Sequence, residues 1–416
     1  MSNVEPVTNS INRLKIKDIA EVVTKGTSPS TYGYAFENTG VNFFKVESLM
    51  KNNKIRDDNI SKISFECHDR LSRSKIKEND ILFSIAGTLG RMSVIPKSYL
   101  PANTNQALAI IRLKKDQYVP YVYWALQSHS VYKVITNIAT TGAQPNLSLK
   151  QIENLEIISP PFKEQQKIAE ILSTVDEQIQ QIDQLIEKTS QLKTGIMHEL
   201  FTKGIGHNTF KQSELGSIPN SWFVTTIESV SLKIMGGGTP SRKNSDFYVG
   251  KIPWVTVKDM QGDFYQVDSQ EHINEEAIKK SASVLIDPGN IVIATRIALG
   301  KGFINTRSIA INQDLKAIYL NNDKIDNEYF LYWYLSIAEF IKSIGSGTTV
   351  KGIRVEQLIK LKLPIPPLVE QQKIAEILSC IDEDIEGYKK EKEKYAKLKK
   401  GLMQQLLTGR KRVKVD

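Results

Sequence analysis

Glu164-Gln165-Gln166-Lys167-Ile168-Ala169-Glu170-Ile171-Leu172-Ser173 returns letter for letter as Glu370-Gln371-Gln372-Lys373-Ile374-Ala375-Glu376-Ile377-Leu378-Ser379, 206 positions later (370 − 164 = 206). The register holds beyond the identity: Asp176-Glu177 matches Asp382-Glu383, Gly195 matches Gly401, Met197 matches Met403 and Leu200 matches Leu406. A constant offset over about forty residues means a helix duplicated with no insertion inside it. The period is about half of the 416 residues, so this is one duplication and not a solenoid.

Both copies carry the pattern of a long amphipathic helix. Ile168, Leu172, Val175, Ile179, Ile182 and Ile186 alternate steps of four and three, the seam of a coiled coil. Ile374, Leu378, Ile381, Ile385, Tyr388 and Tyr395 repeat it. Ile171 and Leu185 widen the first stripe, so further surfaces are expected to pack there. At about 1.5 Å per residue, forty residues reach about 60 Å. Pro160-Pro161 stops what precedes the first helix, and Gly204 and Gly206 end it. The Lys/Glu run 389–400 reads as a solvated face. Gly195 and Gly401 lie inside helical stretches, where glycine costs about 1 kcal/mol against alanine. Close backbone approach or a local helix end would account for them.

The chain therefore divides into a mixed domain over 1–160, a helix over 161–206, a linker and second mixed domain over 207–367, and a helix with a basic tail over 368–416. Ile81 to Ile85, Ala107 to Leu113 and Ile291 to Ala294 read as buried strands. Tyr121 to Gln127 and Glu328 to Ala338 read as short aromatic helices whose rings (Tyr121, Tyr123, Trp124; Tyr329, Tyr332, Trp333) belong to the core. The mixed domains are weakly related to each other. Thr88-Leu89-Gly90-Arg91 aligns with Ala298-Leu299-Gly300-Lys301, Asn105-Gln106 with Asn312-Gln313, and Gly26-Thr27 with Gly238-Thr239. The order domain, helix, domain, helix requires the second helix to run back along the first if their seams meet. The expected fold is α+β: two similar mixed α/β globular domains separated by two long antiparallel coiled-coil helices, related by a pseudo-two-fold axis. Such an axis matches the symmetry of duplex DNA.

Composition narrows the class. Hydrophobic content of 40% is ordinary for a globular protein, and 55 basic against 46 acidic residues favour a polyanionic partner. No apolar run approaches the roughly 18 residues needed to span a bilayer, and the opening residues lack a signal-peptide pattern. With only Cys67 and Cys380, in different halves, a cytoplasmic protein without disulfides and with no membrane association is expected.

Pro160-Pro161 before the repeated helix, the linker Glu214-Leu215-Gly216-Ser217-Ile218-Pro219-Asn220-Ser221-Trp222, and the ending Leu402-Met403-Gln404-Gln405-Leu406-Leu407-Thr408-Gly409 resemble specificity subunits of type I restriction–modification systems. The resemblance covers nearly the whole chain. It implies that each globular domain is a target recognition domain reading one half of a bipartite double-stranded DNA sequence. It implies that the helices set the half-site spacing and dock two methyltransferase subunits, which bind S-adenosylmethionine and methylate adenine. An ATP/Mg-dependent restriction subunit joins them. This chain would then bind no cofactor itself and would target the complex without catalysing.

Polar loops carry the DNA expectation. In the first domain they contribute Lys25, Thr27, Ser28, Arg91, Asn103, Asn105, Gln106, Gln144 and Asn146. In the second they contribute Thr239, Ser241, Arg242, Lys243, Arg296, Lys301, Asn312, Gln313, Thr348 and Lys351. Arg can grip guanine bidentately, Asn or Gln adenine, and Lys or Ser/Thr position phosphates. Taken singly, each Asn, Gln or Gly also suits a plain turn; the pairing of the loops and the resemblance favour DNA.

The rival classes are a protein-only coiled-coil scaffold and a self-contained methyltransferase or nuclease. Ser159-Pro160-Pro161-Phe162 lacks the leading Asn or Asp of the amino-methyltransferase motif, and its repeat Ile365-Pro366-Pro367-Leu368 loses the aromatic. Neither Gly236-Gly237-Gly238 nor Gly300-Lys301-Gly302 fits a nucleotide loop. Cys67-His68 has no second pair for zinc, and the five histidines are scattered, so neither a metal nor a catalytic residue is assigned.

Overall fold

The computed structural model describes residues 12–50, 52–139, 146–347 and 351–415. The chain forms two compact units, Met1–Asp183 with Lys390–Asp416, and Gln184–Lys389. Helix α1 (Phe162–Thr202) and helix α2 (Leu368–Leu406) each contribute to both. The linker expected to open the 207–367 segment is a hairpin, Phe210–Ser213 paired with Gly216–Pro219. Gly216 takes a left-handed φ of 92°, and the Ser213 hydroxyl bonds across the turn, donating to the Gly216 carbonyl and accepting from Leu215 N–H.

The globular part of each unit is the same fold. In the first, strands Ala20–Lys25, Leu108–Leu113, Ile81–Ser84 and Met92–Val94 form an antiparallel sheet in that order. A second sheet runs Ser61–Ile63, Val41–Phe44, Ala102–Thr104, Lys75–Ile76, with its middle pair parallel. In the second unit the first sheet is Ser231–Gly236, Leu315–Leu320, Ile291–Ala294, Gly302–Asn305, extended by Tyr265–Gln266. The second is His272–Ile273, Ile252–Val255, Ile309–Ile311, Leu285–Ile286, again with its middle pair parallel. Even a bulge recurs, between Ala20 and Val22 and between Ser231 and Lys233. The aromatic helices Val119–Ala125 and Asn327–Ser336 are core: Tyr121, Tyr123, Trp124, Tyr329, Tyr332 and Trp333 are all buried.

The repeated decapeptide docks each long helix onto its own domain. Ile168, Ala169 and Leu172 enter the core of the first unit, and Ile374, Ala375 and Leu378 that of the second. Buried Gln165 donates to the Pro160 carbonyl, and buried Gln371 donates to that of Pro366. The preceding glutamate turns to the chain leaving the other helix. Glu164 accepts from the Arg412 guanidinium and Val413 N–H. Glu370 accepts from Ile205 N–H and Trp222 Nε1 and bonds His207 Nε2. Burial pushes the Glu164 carboxyl up, but the Arg412 fork and the Val413 N–H outweigh it and hold it below its usual range. That tie is therefore complete at neutral pH and weakens as pH falls through the carboxylate range.

Within each unit the two helix segments are antiparallel. In the first, Asp176 pairs with Lys399 and Asp183 with Lys392, so a step forward along α1 is a step back along α2. In the second, Lys193 pairs with Asp382. The pairs Asp176–Lys399 and Lys193–Asp382 are equivalent under the repeat, and in each the lysine also sits over a ring, Trp124 or Tyr332. Lys399 thus leaves the run read as a solvated face, while Lys392 keeps its side chain at the surface. Ile168, Leu172, Val175, Ile179, Ile182, Ile374, Leu378 and Ile385 are buried along the seam, while Ile381 and Tyr388 are half-buried. The glycine expectation fails on both readings: the helices continue through Gly195 and Gly401, and a Cβ at either would meet open space. Nothing in the structure explains these two glycines. Among the described residues no helix is long and apolar enough to cross a membrane.

Asp176 is nearly buried, its side chain 6% exposed, whereas that of Asp382 is 34% exposed. Replacing Lys399 with Met is expected to cost the first unit roughly 3 kcal/mol, because it strands a buried carboxylate. The Lys193→Met change is expected to cost about 1 kcal/mol, because water screens Asp382. Denaturant unfolding of both variants measures the difference, and equal losses would contradict the argument.

Candidate nucleic-acid interface

In the first unit, strand Ala20–Lys25 ends at exposed Lys25 and passes into Gly26. A Cβ there would stand 2.0 Å from the Thr104 carbonyl oxygen, so only glycine lets this loop lie against the turn between the two sheets. Thr27 N–H donates to the Thr104 carbonyl, and Thr27 Oγ1 accepts from Arg73 at 3.1 Å. The Ser28 hydroxyl donates to Gln106 Oε1 at 2.6 Å. Asn105 closes the turn by accepting Ala107 N–H with its side-chain oxygen, and Gln106 is exposed at the tip.

The second unit repeats this construction. A Cβ on Gly237 would stand 1.8 Å from the Ile311 carbonyl oxygen, and Gly238 N–H donates to that same oxygen. Asn312 accepts Asp314 N–H, Gln313 is exposed, and Thr239 donates to Gln313 Oε1 at 2.6 Å. These bonds correct the sequence register: Gly26 corresponds to Gly237, not Gly238, and Ser28-Pro29-Ser30 corresponds to Thr239-Pro240-Ser241. The repeated Ser/Thr-Pro-Ser was a signal in the sequence for this register.

Several expected contacts are committed elsewhere. Asn103 is fully buried and donates to the Leu71 carbonyl and Ser74 Oγ, so it braces the core instead of facing a ligand. Asn312 is 7% exposed and also donates to Asp314. Arg91 reaches the Val46 and Leu49 carbonyls, and Lys301 reaches the Met260 carbonyl at 3.0 Å. Both ties hold the loop after a central strand to a neighbouring 3-10 turn (Val46–Ser48 or Val257–Asp259). A long cation on a loop can turn inward to a carbonyl as readily as outward, and sequence does not distinguish the two.

Others remain on the surface. Asn146 is exposed and bridges Ala86, while Arg296 bridges Gly352, so a later loop is laced to the loop after the central strand in each unit. Arg296 is half-exposed beside Asp314 at 3.3 Å. Arg242 lies over the Tyr248 ring and forks onto Glu271, and this hydrogen bond holds the Glu271 carboxyl below its usual range. Glu271 and Arg73 carry no sequence signal; each is far from its partner in the chain. Ser241, Lys243 and Lys351 are exposed. Gln144 and Thr348 lie outside the described residues. Among the described residues no group of three or more His, Cys, Asp or Glu side chains is placed to hold a metal ion.

Comparison with known proteins gives a consistent result. The family model for the type I restriction modification DNA specificity domain matches twice, over residues 11–190 and 219–394. A Methanocaldococcus jannaschii protein provisionally named the type I restriction enzyme MjaX specificity subunit is 31% identical over 413 residues, covering 96% of this chain and 93% of that protein. The MjaVIII specificity subunit of the same organism is 31% identical, covering 82% of this chain and 80% of its own. A solved chain described under complex assembly and conformational transition of the type I R-M system shares the fold, with TM-score 0.63 at 16% identity, covering 97% of this chain and 99% of that one.

The geometry separates two kinds of lysine. Lys243→Ala is expected to reduce the slope of log affinity against log salt for duplex DNA by about 0.9, the loss of one phosphate contact. Lys301→Met should leave the slope unchanged and lower stability by roughly 1 kcal/mol, having removed an internal tie. Anisotropy titrations across about 50–200 mM salt measure the first and unfolding curves the second.

Proposed function

We propose a mode of action for a chain that belongs to the type I restriction–modification DNA specificity family, and that is therefore a specificity subunit of such a system. Each globular domain reads one half of a bipartite duplex target through its polar loops. The helices set the distance between the halves and dock two methyltransferase subunits, and a restriction subunit joins the complex. S-adenosylmethionine and ATP/Mg belong to those partners; this chain targets without catalysing. The observation that carries the reading is the same two-sheet domain built twice, with the same loop construction facing outward each time.

Docking is supported by how the repeated letters divide. Glu164, Gln165, Ile168, Ala169 and Leu172 are consumed by packing and internal hydrogen bonds. Gln166, Lys167, Glu170 and Glu177 are exposed, as are their twins Gln372, Lys373, Glu376 and Glu383. Their spacing of three and four places each set on one helix face. Identity without an internal packing duty fits two equivalent partner subunits.

Exchanging residues 209–367 for the equivalent domain of a relative is expected to change one half of the methylated sequence and leave the other intact, as mapped on methylated DNA. Alteration of both halves would refute modular reading. The ruler role has its own test. Four residues added to α1 after Gln180, with four added to α2 after Lys394, preserve the Asp176–Lys399 and Lys193–Asp382 pairings. They lengthen the helices by about 6 Å and should widen the gap between half-sites by one or two base pairs, at about 3.4 Å each. An unchanged gap would rule out a ruler.

A further inference from the structure

The Ser28–Gln106 and Thr239–Gln313 pairs go beyond what packing requires. Both glutamines are exposed at turn tips, where a hydrophobic core gains nothing from them. Both are held by a hydroxyl from the facing loop at 2.6 Å. Both loops approach only because Gly26 and Gly237 carry no Cβ, and both turns are closed by the preceding asparagine. One chain carries a glycine, an asparagine, a hydroxyl and a glutamine together twice.

The hydroxyl bond restrains the glutamine and engages its Oε1 end. Free on a loop tip, a glutamine forfeits side-chain entropy when it binds. Held by Ser28 or Thr239, it has lost part of that freedom beforehand. With Oε1 accepting the hydroxyl proton, the Nε2 group keeps its donors, while the hydroxyl oxygen and the second lone pair of Oε1 remain acceptors. The pair therefore offers a donor beside an acceptor. In the major groove adenine shows the complement, the N7 acceptor beside the N6 donor, whereas guanine shows two acceptors.

We propose that Gln106 and Gln313, oriented by Ser28 and Thr239, each read an adenine in the major groove, so that both half-sites carry an adenine at the corresponding position. The inference rests on the reading of each domain as a half-site reader. Gln106 and Gln313 are the specificity-determining residues, and Ser28 and Thr239 are positioning residues that act through them.

The test uses the chain assembled with its methyltransferase subunits and duplexes bearing the target mapped for that complex, scanned base pair by base pair in competition binding. Gln106→Ala should lower discrimination for adenine at one position of one half-site by roughly 5- to 150-fold, the span of one bidentate contact, and leave the other half unchanged. Gln313→Ala should do the same in the other half. Ser28→Ala should relax the same position as Gln106→Ala, and Ser28→Thr should restore it, which a merely structural hydroxyl would not do. Replacing the read base with 7-deazaadenine should weaken the parent complex and not weaken Gln106→Ala further. Should the parent complex discriminate both halves while the glutamine variants relax no single position, relax every position of a half alike, or relax a position that is not adenine, the proposal is overturned and half-site reading stands. Binding by the parent complex without any bipartite preference would overturn both.

Discussion

The rest of the structure depends on how each long helix is fastened at its start. A buried carboxylate is tolerated in a protein interior only when charge and hydrogen bonds replace the water it has lost. Glu164 meets this with Arg412 and Val413, and Glu370 with Ile205, His207 and Trp222. The neighbouring glutamines bond the carbonyl of the proline pair that ends each domain's last strand. Each helix is thereby tied to the domain it leaves and to the outgoing end of its twin.

This fastening explains why the helices stayed alike while the domains drifted. A conservative change at Glu164 or Gln165 would leave a polar group unpaired inside the protein, and a change at Leu172 would open a cavity worth several kcal/mol. An inserted residue would rotate every later seam position by about 100° and part Asp176 from Lys399. The exposed loop positions without an internal tie carry no such penalty. Their strand order, parallel pair and bulge persist because the hydrogen-bonded framework demands them, and the side chains between are open to change.

The polar residues expected on loops are shared between internal and external duties, and Asn103 proves to lie on strand Ala102–Thr104. Asn103, Arg91 and Lys301 hold the framework, and Gln106, Gln313 and Lys243 face outward. Lys301 and Lys243 are even the same residue type, both off the regular strands. What separates them is whether a carbonyl or a buried acceptor lies within reach of the side chain. The asparagines of the Asn-Gln pairs build turns, as a bland reading of the sequence would have it, and it is the turn that presents the glutamine.

The family was legible through the resemblance of its motifs; the duplicated helix, its heptad seam and the two mixed domains were legible in the sequence, because exact repetition and apolar periodicity are local properties of the chain. The aromatic helices were legible as core for the same reason. Tertiary structure decided what depends on distant partners. It set the one-residue shift that pairs Gly26 with Gly237, the hydroxyl–glutamine bonds, and the inward turn of Arg91 and Lys301. It also drew Lys399 out of a run that reads as solvent-facing, because the antiparallel course of the helices brings the buried Asp176 opposite it. A charged side chain's role is set by the groups that folding places within a few ångströms of it, and those groups lie elsewhere in the sequence.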